Sequence, residues 1–359
     1  MSKVQLYEEY WSTTLANTDI HGTIFIGQLK IIVDFIDKKN LINVEYTEDL
    51  YKKLQEKINE EFPKHEISIR KAINQYVKLG FIKYHLNGYH HDVHRYLRVG
   101  KQEQKNIFSK ILYEESRFNA SVTNDDTNNQ IKFLIRTILN VGKITKEELA
   151  ALMRVENVDE FPNGFTSRKK IDDLVKRNNL DDFEERKYNQ LQHLISMLKA
   201  FTDIFVSKDS NIISVKENDI KIHIEETKKR DPYLHRIYKQ GLKNESVILF
   251  EKEICYVEKI AYPYLIASHI KPYKSSEKEE EYDSDNGILL SPTLDSLFDK
   301  GKISFDENGK IMLSKSLNSD VIDKLKYLNL DKKALSNENR AKYLNYHREW
   351  IFEKNTKKT

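Results

Sequence analysis

The sequence predicts an α+β chain, mainly helical over its N-terminal two thirds, with a small strand-strand-helix module near its C-terminus. Three observations carry this. Apolar residues recur at helical spacing through most of the N-terminal part. The order helix, helix, helix, hairpin occurs twice. Between Tyr264 and Phe305, two short apolar strands flank a polar excursion and lead into a helix. A chain of 359 residues is long for one domain, and the element order divides it into 1–100, 101–225 and 226–359.

Ile24 to Ile36 opens the series, with Leu29, Ile32, Val33 and Ile36 at helical spacing. Thr47 is placed to cap a second helix that runs to about Ile58. A third runs from Ile67 to Leu79 and ends at Gly80, where a C′ glycine belongs. Phe81 to Leu86, Asn87-Gly88 and Tyr89 to Val99 then read as a β-hairpin, because Asn-Gly suits a type I′ turn. In the second series, Ile131 to Leu139 is helical, and Thr145-Lys-Glu-Glu148 carries the capping-box pattern. Arg186 to Phe201 is an amphipathic helix, and Ile204-Phe-Val206 with Ile212-Ile-Ser-Val215 makes a second hairpin. Three helices and a hairpin is the order of a winged helix, so tandem winged-helix-like units are expected. The alternative is a pair of generic helical domains with solvated polar faces. Asp219 to Glu245 is highly charged and reads as a connection to the last domain.

Composition bounds the function classes. Charged residues reach 32% yet cancel to a net +3, so a local basic face would matter more than the total. Cys255 is the only cysteine, which excludes an intramolecular disulfide and a four-cysteine zinc site. Cys255 itself reads as a core thiol. Met1 to Thr14 has no apolar signal region, and no run approaches the roughly 20 apolar residues that span a bilayer. The expectation is a soluble, cytoplasmic protein with no membrane partner. Tyr89-His-His-Asp-Val-His94 resembles a metal cluster, but alternation along a strand would split His90 and His91 onto opposite faces.

The chemistry concentrates near the C-terminus. Tyr264-Leu-Ile-Ala-Ser-His-Ile-Lys-Pro-Tyr273 reads as an apolar strand ending in Ser268-His269. Ser275 to Asp285 is rich in Ser, Glu and Asp and should be an exposed loop. Asn286-Gly287 turns into a second strand, Ile288 to Leu290. Ser291 and Pro292 then occupy N-cap and N1 of a helix on which Asp295 and Asp299, four apart, share a face. A strand histidine facing helix carboxylates is a ββα-metal layout.

This run resembles the HNH endonucleases. The resemblance rests on Ala267-Ser-His-Ile-Lys-Pro, Asn286-Gly-Ile-Leu-Leu-Ser-Pro and Leu294-Asp-Ser-Leu-Phe-Asp-Lys-Gly, with Tyr273 at a tryptophan position. It spans about Glu253 to Ser314. It implies that His269 is the general base, since an imidazole near its ordinary pKa of roughly 6.5 accepts a water proton at neutral pH. It implies that Asn286 braces the loop and orients His269, and that Asp295 ligates the metal. A carboxylate there suits Mg2+, with Mn2+ the alternative. Ser268 stands where many relatives carry an aspartate ligand, and Asp299 is the candidate to replace it. Lys271 is the candidate contact to the scissile phosphate.

The expected whole is a restriction-type endonuclease that cuts double-stranded DNA at or near a short site, dimeric at least on DNA. Arg70, Lys71, Asn74, Arg186, Lys187, Asn189 and Gln190 are the candidate DNA contacts, being residue types that read base edges or bind phosphates. Two alternatives stand beside it: a nuclease that senses a modified base, and a DNA-binding regulator with an inactive nuclease fold.

Overall fold

The computed structural model describes residues 10–177, 180–216 and 230–352, with side chains of residues 177–188 outside the description. The chain divides into two compact units, Met1–Ile220 and Lys221–Thr359.

The first unit opens with α1 (Thr23–Lys39), α2 (Glu48–Glu61) and α3 (Glu66–Lys78). The Thr47 side chain caps α2 by accepting from the Leu50 amide, and Gly80 takes a positive φ of 81° after α3. The expected hairpin after α3 does not form. Ile82 and Tyr89 make a single bridge, Asn87 keeps a negative φ of −80°, and the chain turns into α4 (Val93–Arg98). The reason lies in Val93 and Tyr96. Three residues apart, they fall on opposite faces of a strand but on one face of a helix, and both are fully buried. Tyr96 packs on Phe81 at 4.9 Å, and Phe81 meets Phe25 and Phe108. Gly100 caps the next helix, α5 (Lys101–Glu115).

There follow α6 (Gln130–Val141), β1 (Lys143–Thr145), α7 (Lys146–Leu152), α8 (Arg168–Arg177) and α9 (Leu180–Lys199). The capping box of α7 is complete: Thr145 accepts from the Glu148 amide, and Glu148 accepts from the Thr145 amide. Strands β2 (Ile204–Val206) and β3 (Ile212–Val215) form the expected hairpin, tightened by Asp209, which accepts from Ser207 Oγ and the Asn211 amide. The antiparallel sheet runs β1-β3-β2, with Ile144 opposite Ile213.

In the second unit, α10 (Pro232–Phe250) takes up the C-terminal part of the expected charged connection; residues 219–229 of that stretch lie outside the described residues. Asp231 caps α10 and Pro232 fills N1. Tyr233, Leu234, Ile237, Tyr238, Gly241 and Leu242 make its buried stripe, a 3.6-residue period set inside a charged sequence. Strands β4 (Ile266–His269) and β5 (Gly287–Leu290) pair antiparallel, with Ser268 opposite Ile288 and His269 opposite Gly287. Then come α11 (Pro292–Asp299), β6 (Ile303–Phe305), β7 (Ile311–Leu313), α12 (Ser319–Leu325), α13 (Lys332–Leu335) and α14 (Glu338–Tyr346). No helix among the described residues is long and apolar enough to cross a membrane. Cys255 is fully buried, and burial pushes its thiol up.

Candidate active site

Gly287 shows why β5 can sit where it does. A Cβ there would come within 2.2 Å of Tyr238 Oη and 2.7 Å of Leu242. The bare glycine lets α10 press onto the strand pair, and Tyr238 Oη points at the Ser268 and Asn286 carbonyls, 3.2 Å from each. One buried phenol thereby ties both strands together.

His269, at the end of β4, is buried. Its ring stacks on Tyr238, with centroids 4.4 Å apart, and meets Tyr273 edge-on at 5.9 Å. Its Nε2 lies 2.9 Å from the Glu281 carbonyl. A carbonyl can only accept, so Nε2 carries the hydrogen and Nδ1 keeps the lone pair. Burial lowers the imidazole to about 4 against the opposing pull of that carbonyl, and the charges of Arg230 and His235 lower it further. The ring is neutral at pH 7, the state in which it can take a proton.

Asn286 is fully buried and uses both ends of its amide. Oδ1 accepts from the Lys271 amide at 2.7 Å, while Nδ2 donates to the carbonyls of Lys271 and Glu280 and to Ser276 Oγ. Glu280 precedes the residue that holds His269, so Asn286 acts on the histidine through the loop. That loop is not the exposed excursion expected of its composition. Tyr282, Ser276, Ser284 and Asp285 are buried. Glu280 pairs with Lys271, Asp283 accepts from Tyr343 Oη, and Asp285 accepts from Asn337 and Asn339. The carboxylates find partners inside the unit, which offsets the cost of burying them.

Ser268 and Asp295 face each other across β4 and α11. The Ser268 hydroxyl is buried and approaches the Asp295 carboxylate without making a well-formed hydrogen bond. Burial raises the Asp295 carboxyl; Ser268 opposes this, and the negative charge of Asp299 adds to it. The polar oxygens offered here are a half-buried carboxylate, a hydroxyl with no hydrogen-bond partner and, one turn along α11, a second carboxylate. Such a set fits a hard divalent cation. Asp299 itself is exposed, and Ser291 is the N-cap of α11 by position, though its hydroxyl makes no cap bond.

Lys271 Nζ pairs with Glu280 and lies 5.1 Å from the Tyr346 ring centre. Arg340, which the sequence did not single out, is fully buried in α14. It makes two bonds to Glu245, at 2.9 and 2.8 Å, and donates to the carbonyls of Gly287 and Ser284. This clamp fixes the Asn286-Gly287 corner. Spacing carries no signal for it, because Glu245 and Arg340 are remote in the chain.

In the first unit, Arg70 and Lys71 are exposed on α3, and Asn189 is exposed on α9. Asn74 Oδ1 accepts from the Val122 amide, and Gln190 Nε2 donates to Thr14 Oγ1, so both serve the packing of their own unit. The side chains of Arg186 and Lys187 lie outside the description. His90 and His91 are not split across a strand. The turn stacks their rings at 4.1 Å, and His90 Nε2 lies 3.1 Å from Glu114. His90 Nδ1 accepts from the Asp92 amide, so Nε2 is the protonated nitrogen and donates to Glu114. Lys110 Nζ, 2.9 Å from Asp92 and 3.4 Å from His91, supplies the cation of this cluster.

Two antiparallel strands and a helix, with His269 ending β4 and Asp295 and Asp299 on α11, form a ββα arrangement. More particularly, residues 255–306 match the family model described as HNH endonuclease. The chain carries an HNH endonuclease domain there, the module of a metal-dependent nuclease that acts on DNA. HNH nucleases typically work with a divalent metal ion. Among curated proteins, none matches the chain.

Proposed function

We propose that the protein is a restriction-type endonuclease that hydrolyses double-stranded DNA at or near a short specific site, using Mg2+. The observation that carries the reading is the Glu281 carbonyl on His269 Nε2, which leaves Nδ1 free as the base. Water attacks phosphorus as its proton passes to Nδ1, and the bond from phosphorus to the 3′ oxygen breaks. Asn286 and Tyr238 hold the base in place, and Asp295 with Ser268, and Asp299 beside them, would hold the metal. When bound, the ion supplies charge neutralisation at the phosphate and help for the leaving oxygen.

Support for sequence-specific targeting comes from the first unit. The succession α6, β1, α7, α9, β2, β3 with a β1-β3-β2 sheet follows winged-helix order, α9 standing where the groove-reading helix would be. The insertion between α7 and α9 contains α8. Arg70, Lys71 and Asn189 remain candidate DNA contacts by their exposure. With one active site per chain, cutting both strands calls for two chains on the DNA.

Digestion of mixed-sequence plasmid, methylated and unmethylated, with Mg2+ and with EDTA, followed by sequencing of the ends, tests this. Discrete ends that need Mg2+ are expected. Cleavage confined to methylated plasmid would replace specific-site recognition with modification sensing, and cleavage in EDTA would remove the metal assignment.

A further inference from the structure

Phosphodiester hydrolysis builds negative charge at phosphorus, and a fixed cation facing the developing charge is worth more in a half-buried site than in water. Lys271, the cation beside His269 in sequence, is turned toward Glu280 and the Tyr346 ring. A second cation approaches the histidine through the Tyr273 ring. Arg230 precedes the Asp231 cap of α10, and its guanidinium carbon sits 5.0 Å from the centre of the Tyr273 ring. That same ring contacts His269 edge-on. The backbone carrying Arg230 is pinned to the loop that orients the base: the Asp231 amide donates to Tyr282 Oη at 2.6 Å, and Tyr282 Oη lies 2.9 Å from Tyr273 Oη. Arg230 is exposed. Its guanidinium is separated from the base by one aromatic ring, Tyr273.

We infer that Arg230 is the phosphate-binding residue of this site, its guanidinium resting on Tyr273 and donating to the non-bridging oxygens of the scissile phosphate. A planar guanidinium can stack on an aromatic ring and still offer its N–H edge to two phosphate oxygens, which an ammonium cannot do. The inference rests on the nuclease reading above and adds to it the residue that meets the substrate's charge.

The test uses the full chain as wild type, Arg230→Ala, Arg230→Lys and His269→Ala. Plasmid cleavage in Mg2+ is followed over a range of DNA concentrations, DNA affinity is measured in EDTA, and thermal melting is recorded for each protein. Arg230→Ala should lower kcat by roughly 100-fold, with KM, melting temperature and affinity in EDTA little changed. Arg230→Lys should recover part of the rate. If the wild type cuts, His269→Ala does not and Arg230→Ala keeps its kcat, the phosphate assignment is overturned while the nuclease reading stands. If Arg230→Ala and Arg230→Lys lose rate and melting temperature together, Arg230 is a prop for the loop and the assignment is overturned as well. If the wild type fails to cut, or His269→Ala cuts as fast, the nuclease reading falls and takes this inference with it.

Discussion

The His269 imidazole lies nearly flat against the Tyr238 phenol, with planes 17° apart and centroids separated by 4.4 Å. The stack sets the plane of the ring, and the Glu281 carbonyl sets which nitrogen carries the hydrogen. Two neighbours from different parts of the chain thus decide the orientation and the tautomer of one base.

His269→Ala removes the proton acceptor but touches neither the first unit nor Asp295. Cleavage should fall by about 10²- to 10⁴-fold, with DNA binding in EDTA retained. Plasmid nicking and gel-shift titration measure the two separately, and a variant that still cuts at the wild-type rate would sink the assignment of the base.

Acid should erode stability before it slows the reaction. His269 must be neutral to act, and burial holds it near pKa 4. Cleavage should therefore persist as pH falls below the ordinary histidine value of roughly 6.5. His21 and His347, also lowered by burial to about 4, share the sign. Their folded values lie below the unfolded one, so their contribution to stability is complete above pH ~6.5 and is lost as pH drops toward 4. A rate profile that breaks near 6.5 while the melting temperature holds would contradict this.

Gly287→Ala should be more harmful than its size suggests, because the new methyl meets Tyr238 Oη. A loss of about 1–3 kcal/mol is expected from overpacking. Tyr238→Phe alone should cost about 1 kcal/mol through its hydrogen bonds and keep the stack on His269. Combined, the two changes should cost less than their sum, since the atom nearest the clash is gone. Urea denaturation of the four proteins decides it, and strict additivity would refute the steric account.

Arg340→Met would leave Glu245 without its guanidinium and free the Gly287 and Ser284 carbonyls. Removing one partner of a buried pair typically costs about 3–5 kcal/mol. Glu245 retains some access to water, so the low end, about 3 kcal/mol, is expected. Cleavage should weaken at temperatures where the variant is still folded, because the Asn286-Gly287 corner loosens. Chemical denaturation and a low-temperature rate assay test the two statements.

The strand-strand-helix unit was legible because its signals are local: Ser291-Pro292 starts a helix, Asp295 and Asp299 share its face, and His269 ends a strand. In the Tyr89–Val99 stretch the local Asn-Gly signal points to a hairpin, whereas burial of Val93 and Tyr96 against one aromatic core favours a helical turn. The same signal hides the meeting of His90, His91 and Glu114. Helix α10 was missed because net charge masked its apolar period, although Asp231-Pro232 is a cap signal. Arg340 and the Tyr238 hydroxyl had no local signature at all; their roles depend on which distant carbonyls fold against them.

The bond that fixes His269 comes from the main chain of Glu281, not from its carboxylate. Evolution can therefore rewrite much of this loop's chemistry without touching the reaction, so long as the backbone keeps its course. Glu277 and Glu279, exposed at the bend, are open to exchange for other polar residues, whereas adding or removing a single residue there would carry the carbonyl away from the ring. Length, more than composition, is what selection has to guard.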